Sequence, residues 1–366
     1  MYALLTIWIV IEWLLRIVAL FVVPRNRKPT SGMAWLMLIF FFPEIGWIIF
    51  LVLGSPKLPK NRRDAQKTLD QYIASVKQAI ERTKSTTVAR PPQKYVGAVS
   101  LSDNLTHLPL FAGNAIEPLP DYTDIIARIT EDVRRAKHYI QLEYYILALD
   151  DATEPLFEAL EQASGRGVEV RVLYDAIGVR KFPRKKEMVT RMVEAGIDAH
   201  AMLPLHLPGK KYTRPDLRNH RKLVVVDGVV GYTGSLNMIQ RDYHRKDDIV
   251  YDELVVHIEG PVVLELEAVF LNDWLAETGQ VLKQPDRNFE RQLKPKGDSP
   301  AHIVPSGPGY EYENNRKLFA SLFYAAEKDI TIVNPYFVPD QSLITALTSA
   351  ARRGVRVRLL NSEAID

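Results

Sequence analysis

The sequence predicts an α/β protein, a mixed β-sheet flanked by helices, with an apolar helical hairpin ahead of it and the start of a second α/β repeat behind it. Three observations carry this expectation. Two apolar runs stand near the amino terminus, short β-branched strands alternate with helical stretches from about Pro91 onward, and residues 137–173 resemble residues 328–360.

Residues 2–23 form one apolar run and residues 33–53 a second. At about 1.5 Å per residue, about 20 residues cross a bilayer core as a helix. A cleaved signal peptide fits poorly, because no basic stretch precedes the first run, no small-residue site follows it, and a second apolar run comes next. Residues 1–56 are therefore expected to form a transmembrane helical hairpin. Glu12 and Arg16 stand four apart and share a helix face, where they can pair or meet the second helix. Pro43 and Glu44 interrupt the second run, which suggests a kink or a shallow re-entrant hairpin. Two crossings would put the amino terminus and everything after residue 56 on the same side. The connecting loop carries Arg25, Arg27 and Lys28, and the stretch after the second run carries Lys57, Lys60, Arg62, Arg63 and Lys67. The positive-inside rule then favours a multi-pass membrane protein with a cytoplasmic globular part, by five cations to three. Residues 57–95 read as a basic, helix-prone linker that could lie against anionic headgroups or be solvated.

Beyond the linker the expected elements are a strand at HYIQLEYYI, a helix at ATEPLFEALEQASGRG, a strand at VEVRVLYD, two strands in KLVVVDGVVGYTG and a strand in ELVVHIEG. The Asp227-Gly228 pair suits a tight hairpin turn. RGVEVRVL from Arg166 recurs as RGVRVRLL from Arg353, 187 residues on, and KHYIQLEYYIL from Lys137 recurs as KDITIVNPYFV from Lys328, 191 residues on. One such match is ordinary helix-to-strand punctuation. Two in register argue for a duplicated domain, with residues 96–290 as the first copy and 291–366 as the start of the second.

Composition removes several chemistries. With no cysteine there is no disulfide, thiolate metal site or cysteine nucleophile. A net charge of +3 is too slight to suggest nucleic acid. His138, His200 and His257 have no partner at metal-ligand spacing, so no metal and no cofactor is expected.

The chemistry is concentrated in HRKLVVVDGVVGYTGSLN, from His220 to Asn237. His220 and Lys222 are two apart and so share a strand face. An imidazole and an ammonium side by side can attack and bind one phosphoryl group, while the turn with Ser235 and Asn237 offers donors to its oxygens. A lone His-x-Lys pair says little. The full spacing His-x-Lys-x4-Asp followed by Gly-Ser-x-Asn is restrictive. Asp227 belongs to the motif but lies across a five-residue strand, about 16 Å away, and reads as structural. Glu143 and Tyr145 align with Asn334 and Tyr336 in the repeat, and could face the cleft or simply pack. The basic run Lys210, Lys211, Arg214 and Arg218 could receive lipid phosphates or be a solvated loop.

This motif is similar to the signature of the phospholipase D superfamily, and its surroundings resemble the cardiolipin synthase branch. The supporting words are LRNHRKLVVVDG, GYTGSLN, LEYYIL, VHIEGPVV, LNDWLAETG, VPSGP and NPYFVPD, in family order behind two apolar runs. The resemblance implies a phospholipase D-like sandwich and a two-step phosphatidyl transfer through a phosphohistidine. His220 would be the nucleophile, with Lys222, Ser235 and Asn237 on the phosphoryl oxygens and a second histidine protonating the leaving alcohol. A downstream carboxylate would orient the histidine; Asp252 fits that role and Asp248 is the alternative. The implied substrates are phosphatidylglycerol and anionic membrane lipid, giving cardiolipin and glycerol. A lipid phosphodiesterase and a non-catalytic membrane-bound fragment are the rival readings. The His-x-Lys-x4-Asp spacing occurs once in the 366 residues, so the chain is expected to be catalytically incomplete alone. A homodimer sharing His220 is the alternative.

Overall fold

The computed structural model describes residues 2–25, 27, 29–54, 72–82, 88–204, 216–243, 250–282, 289–307 and 313–363. The chain divides into two compact units, residues 1–59 with 205–217, and residues 60–204 with 218–366.

In the first unit, α1 (Tyr2–Val22) is a single apolar helix long enough to cross a membrane. The second apolar run differs from a straight crossing. It forms α2 (Pro29–Phe41) and α3 (Pro43–Leu53), separated at Phe42, whose φ of −136° leaves the helical region. Pro43 opens α3 because proline cannot extend α2 yet suits a first helical turn. The two helices fold back on each other. A Cβ on Gly46 would meet Ile39 Cα at 2.8 Å, and the Trp35 and Phe50 rings meet edge-on at 5.4 Å. Residues equally far from the Phe42–Pro43 junction thus face one another, as an antiparallel hairpin requires. Arg16 on α1 pairs with Glu12 at 3.0 Å and donates from Nε to Phe40 O at 3.1 Å, while the Trp47 indole donates to Leu15 O.

The second unit is built on an eight-stranded sheet in the order β4-β3-β2-β5-β6-β7-β1-β8. Its strands are β1 (Phe111–Leu119), β2 (Tyr139–Tyr144), β3 (Glu169–Asp175), β4 (Asp198–Met202), β5 (Lys222–Val226), β6 (Val230–Gly234), β7 (Val255–Glu259) and β8 (Ser299–Ala301). Only β2, β3 and β4 pair in parallel; the remaining pairings are antiparallel. Parallel neighbours need crossover helices, and α7 (Glu154–Gly165) and α8 (Lys185–Glu194) supply them. The β5–β6 turn has left-handed φ at both Asp227 and Gly228, as a primed hairpin turn demands, and Val229 N–H closes it on Val226 O at 3.1 Å.

Helix α6 (Tyr122–Arg135) starts where the Asp121 carboxylate accepts the amides of Thr123 and Asp124, and it buries Ile125, Ile129 and Val133. It packs with α7 over Ile140, Leu142, Val172 and Val224 of the sheet. Helix α9 (Val263–Thr278) contacts β2, β4, β5 and β6. Residues 72–82, within the run read as helix-prone, form a helix, α4. Tyr72, Ile73 and Val76 are buried, and Tyr72 donates to Leu264 O at 3.0 Å, so this segment packs on α9. The shorter α5 (Val96–Thr106) and α10 (Phe289–Gln292) complete the first copy.

Beyond it run α11 (Asn314–Ala325), β9 (Asp329–Val333), α12 (Gln341–Arg352) and β10 (Arg356–Leu360), with β9 and β10 parallel, and the junction at Arg353 has the geometry of the one at Arg166. Arg166 donates to Arg134 O at the end of α6, and Arg353 donates to Tyr324 O at the end of α11. Gly167 and Gly354 follow with φ of 88° and 90°, and Val168 and Val355 each bond a carbonyl five residues back at 3.1 Å.

Candidate active site

Strand β5 runs antiparallel to β2 with Lys222 opposite Tyr144, so it carries the start of the motif to the edge where β2 and β3 end. There a cleft of about 1140 Å³ is lined by His220, Lys222, Ser235 and Asn237 together with Tyr145, Glu253 and Tyr336. Tyr145 and Tyr336 are counterparts in the two copies. Side-chain alternation divides the motif: His220 and Lys222 face the cleft, while Asn219 and Arg221 turn inward. Asn219 Nδ2 donates to Glu143 at 2.6 Å and to Asp273 at 2.9 Å; Arg221 pairs with Asp273 at 2.5 Å and donates to Ser306 O at 2.8 Å. Glu143, fully buried, therefore braces the motif from behind and does not enter the cleft. Burial, and then the neighbouring Asp273, push its carboxyl well above the usual range.

The imidazole of His220 stacks on the Tyr145 ring, centroids 3.8 Å apart. Burial lowers its pKa below the ordinary 6.5, and the charges of Lys222 and Arg218 add to that, so the neutral, nucleophilic form is favoured. Lys222 Nζ donates to His220 O at 2.7 Å and stands 5.7 Å from the Tyr145 ring centre. Burial brings its pKa down to about 8, against the opposing pull of Glu253. An ammonium short of full solvation is prepared to exchange water for phosphate oxygens.

Ser235 and Asn237 follow β6. A Cβ at Gly234 would meet Leu254 O at 2.2 Å, so only glycine allows the backbones to approach there. Ser235 Oγ accepts from Leu254 N–H at 2.9 Å. Asn237 is set by Ile146 N–H on its Oδ1 and by its own donation to the Tyr243 hydroxyl at 3.0 Å.

Asp252 also lines the cleft, with its side chain fully exposed and paired with Arg241 at 2.8 Å. The carboxylate beside Lys222 and Ser235 belongs to Glu253, held above its usual range by burial in spite of both partners. Strand β7 begins only at Val255, so residues 252–254 precede it as irregular chain. Asp248 lies outside the described residues. Asp227 stands at the far end of β5, where its carboxylate accepts the amides of Lys137 at 3.0 Å, His138 at 2.8 Å and Tyr139 at 3.0 Å. Arg218 is buried, donating to Leu203 O at 2.7 Å and pairing with Asp175 at 3.4 Å, which makes it a pin between loops. Lys210, Lys211 and Arg214 lie outside the described residues. Among the described residues no group of His, Asp and Glu is arranged to hold a metal ion.

Residues 129–274 and 320–366, which hold this motif and most of both copies, match the family described as "Cardiolipin synthase, PLD-like domain". The chain belongs to that family. It is 33% identical over 344 residues to a cardiolipin synthase of Halalkalibacterium halodurans, covering 92% of this chain and 66% of the relative. It is 31% identical over 353 residues to cardiolipin synthase A of Proteus mirabilis, covering 95% of this chain and 72% of that one. The chain thus spans about two thirds of the length of the curated relatives it matches. Among solved structures, a phosphatidylserine synthase of Haemophilus influenzae overlays with a TM-score of 0.49 at 16% identity, over 72% of this chain and 65% of its own.

Proposed function

We propose that the chain carries a phosphatidyltransferase site that joins two phosphatidylglycerol molecules into cardiolipin with release of glycerol. The observation that carries this reading is the convergence of His220, Lys222, Ser235 and Asn237 on one cleft. A ring nitrogen of His220 attacks the phosphodiester phosphorus. The bond from phosphorus to the headgroup glycerol oxygen breaks, and that oxygen leaves with a proton. Lys222, Ser235 and Asn237 hold the phosphoryl oxygens through both steps. The terminal hydroxyl of a second phosphatidylglycerol then attacks the phosphohistidine, breaking the P–N bond and giving up its proton. The resemblance assigns protonation of the leaving alcohol to a second histidine. Among the described cleft residues, Glu253 is the carboxyl whose raised pKa suits proton traffic beside Lys222.

Membership of the cardiolipin synthase family and the apolar helix α1 both support a lipid substrate at a membrane, with the enzyme embedded by its amino-terminal unit. The test is incubation of the purified protein with phosphatidylglycerol liposomes, followed by lipid and glycerol analysis. Cardiolipin and glycerol in equal amounts, lost in His220→Ala, are expected. Phosphatidic acid without cardiolipin would make the enzyme a hydrolase, and no turnover would leave the transferase reading without support.

A further inference from the structure

We infer that the amino-terminal unit crosses the membrane once and then dips back into a single leaflet, so that Met1 and the chain beyond Gly54 lie on opposite faces. This rests on the reading of that unit as membrane-inserted. Helix α1 has 21 residues, about 32 Å at 1.5 Å each, and matches a hydrocarbon core of about 30 Å. Helices α2 and α3 have 13 and 11 residues, about 20 and 16 Å, and neither reaches across.

Two contacts set the depth of the hairpin. Its mouth is closed by Arg27, in the loop after α1, whose guanidinium donates to Gly54 O at the end of α3. The entry and exit of the hairpin are thus on one face. Its tip meets α1 at Arg16, through the bond to Phe40 O. Arg16 is six residues from Val22, about 9 Å along the helix, and fourteen from Tyr2, about 21 Å. The tip therefore stops well short of the far face. It is also apolar: Phe41 and Phe42 are 71% and 58% exposed within the protein, an arrangement suited to acyl chains and unsuited to water. Arg16, paired with Glu12, caps a carbonyl that has no helical partner at this depth, which accounts for an ion pair placed mid-helix.

The charge asymmetry then becomes decisive. With one crossing, Arg25, Arg27, Lys28, Lys57, Lys60, Arg62, Arg63 and Lys67 belong to one face. By the positive-inside rule these eight cations place that face in the cytoplasm, where two crossings would have divided them five to three. The hairpin then samples the cytoplasmic leaflet.

Because the chain has no cysteine, single-cysteine variants report each position cleanly. Tyr2→Cys, Arg25→Cys, Phe41→Cys and Ala74→Cys would be treated with a membrane-impermeant maleimide in right-side-out and inverted membrane vesicles. Arg25→Cys and Ala74→Cys are expected to label only in inverted vesicles, Tyr2→Cys only in right-side-out ones, and Phe41→Cys in neither. Tyr2→Cys and Ala74→Cys labelling together on the face opposite Arg25→Cys would restore two crossings and overturn the inference. All positions labelling on one face, with the protein released by alkaline carbonate, would instead overturn membrane insertion itself.

Discussion

The imidazole of His220 lies against the phenol ring of Tyr145 with the planes 17° from parallel, which makes an uncharged ring the wall that sets the direction of the nucleophile. Such a contact is worth about 1 kcal/mol, or roughly fivefold to tenfold in rate if the ring must be held in place. Tyr145→Ala should lower kcat by about tenfold with little change in KM, and Tyr145→Phe should keep most of the turnover. Cardiolipin formation in phosphatidylglycerol liposomes reads both; equal losses in the two variants would shift the role from the ring to the hydroxyl.

The pH profile follows from two groups shifted in the same direction. His220 must be neutral to attack, and its pKa lies below 6.5, so kcat/KM should rise along a limb centred below pH 6.5. Lys222 must be charged to hold the phosphoryl group, and with a pKa near 8 its contribution should fade above about pH 8. Lys222→Arg, which stays protonated, should move the alkaline limb upward while retaining some activity, whereas Lys222→Met should have almost none. An alkaline limb unmoved by the arginine would assign that limb to another group.

Asp227 belongs to the motif by spacing, yet it ties three amides at the start of β2 and stands at the far end of its strand from the cleft. Asp227→Ala should cost about 2 kcal/mol of stability by leaving those amides without their acceptor. Because Asp227 has a φ of 53°, Asp227→Asn, which tolerates that conformation, should lose less. Thermal unfolding gives the stability; activity per folded molecule should remain within about threefold of the parent. A loss of catalysis without a loss of stability would return Asp227 to the site.

Glu253 and Asp252 are neighbours with opposite expectations. Asp252→Ala removes an exposed carboxylate paired with one surface arginine and should leave kcat nearly unchanged. Glu253→Gln removes the carboxylate beside Lys222 and Ser235 and should lower kcat by about tenfold to a hundredfold. Steady-state kinetics on the two variants would separate them, and the reverse order would move the role to Asp252.

Much of this was legible in the sequence for physical reasons. The spacing of His220, Lys222, Ser235 and Asn237 survives because β5 and β6 are joined by the turn that Asp227-Gly228 announces, and the duplicated Arg-Gly-Val words mark the same helix-to-strand junction twice. What eluded sequence reading were choices settled by packing. Glu143, at a strand end, could equally have faced the cleft or packed, and it is packing against Asn219 that decides. Residues 72–82 looked like a basic surface helix, but Tyr72, Ile73 and Val76 seal it against α9. The fold-back of α2 on α3 was latent in Pro43 and Gly46, one ending a helix and the other permitting backbone contact, and neither declares a direction alone.

The β5–β6 hairpin also limits how chains of this kind can vary in length. Leu223 stands opposite Thr233 and Val226 opposite Val230, with only Asp227, Gly228 and Val229 between the strands. One residue inserted or deleted in that bend would slide β6 by one step, and a one-step slide turns each side chain to the other face of the sheet. Ser235 would leave the phosphoryl site as Tyr232 left the core. Insertions and deletions at the bend are therefore excluded, so changes in chain length should collect in loops that carry no register.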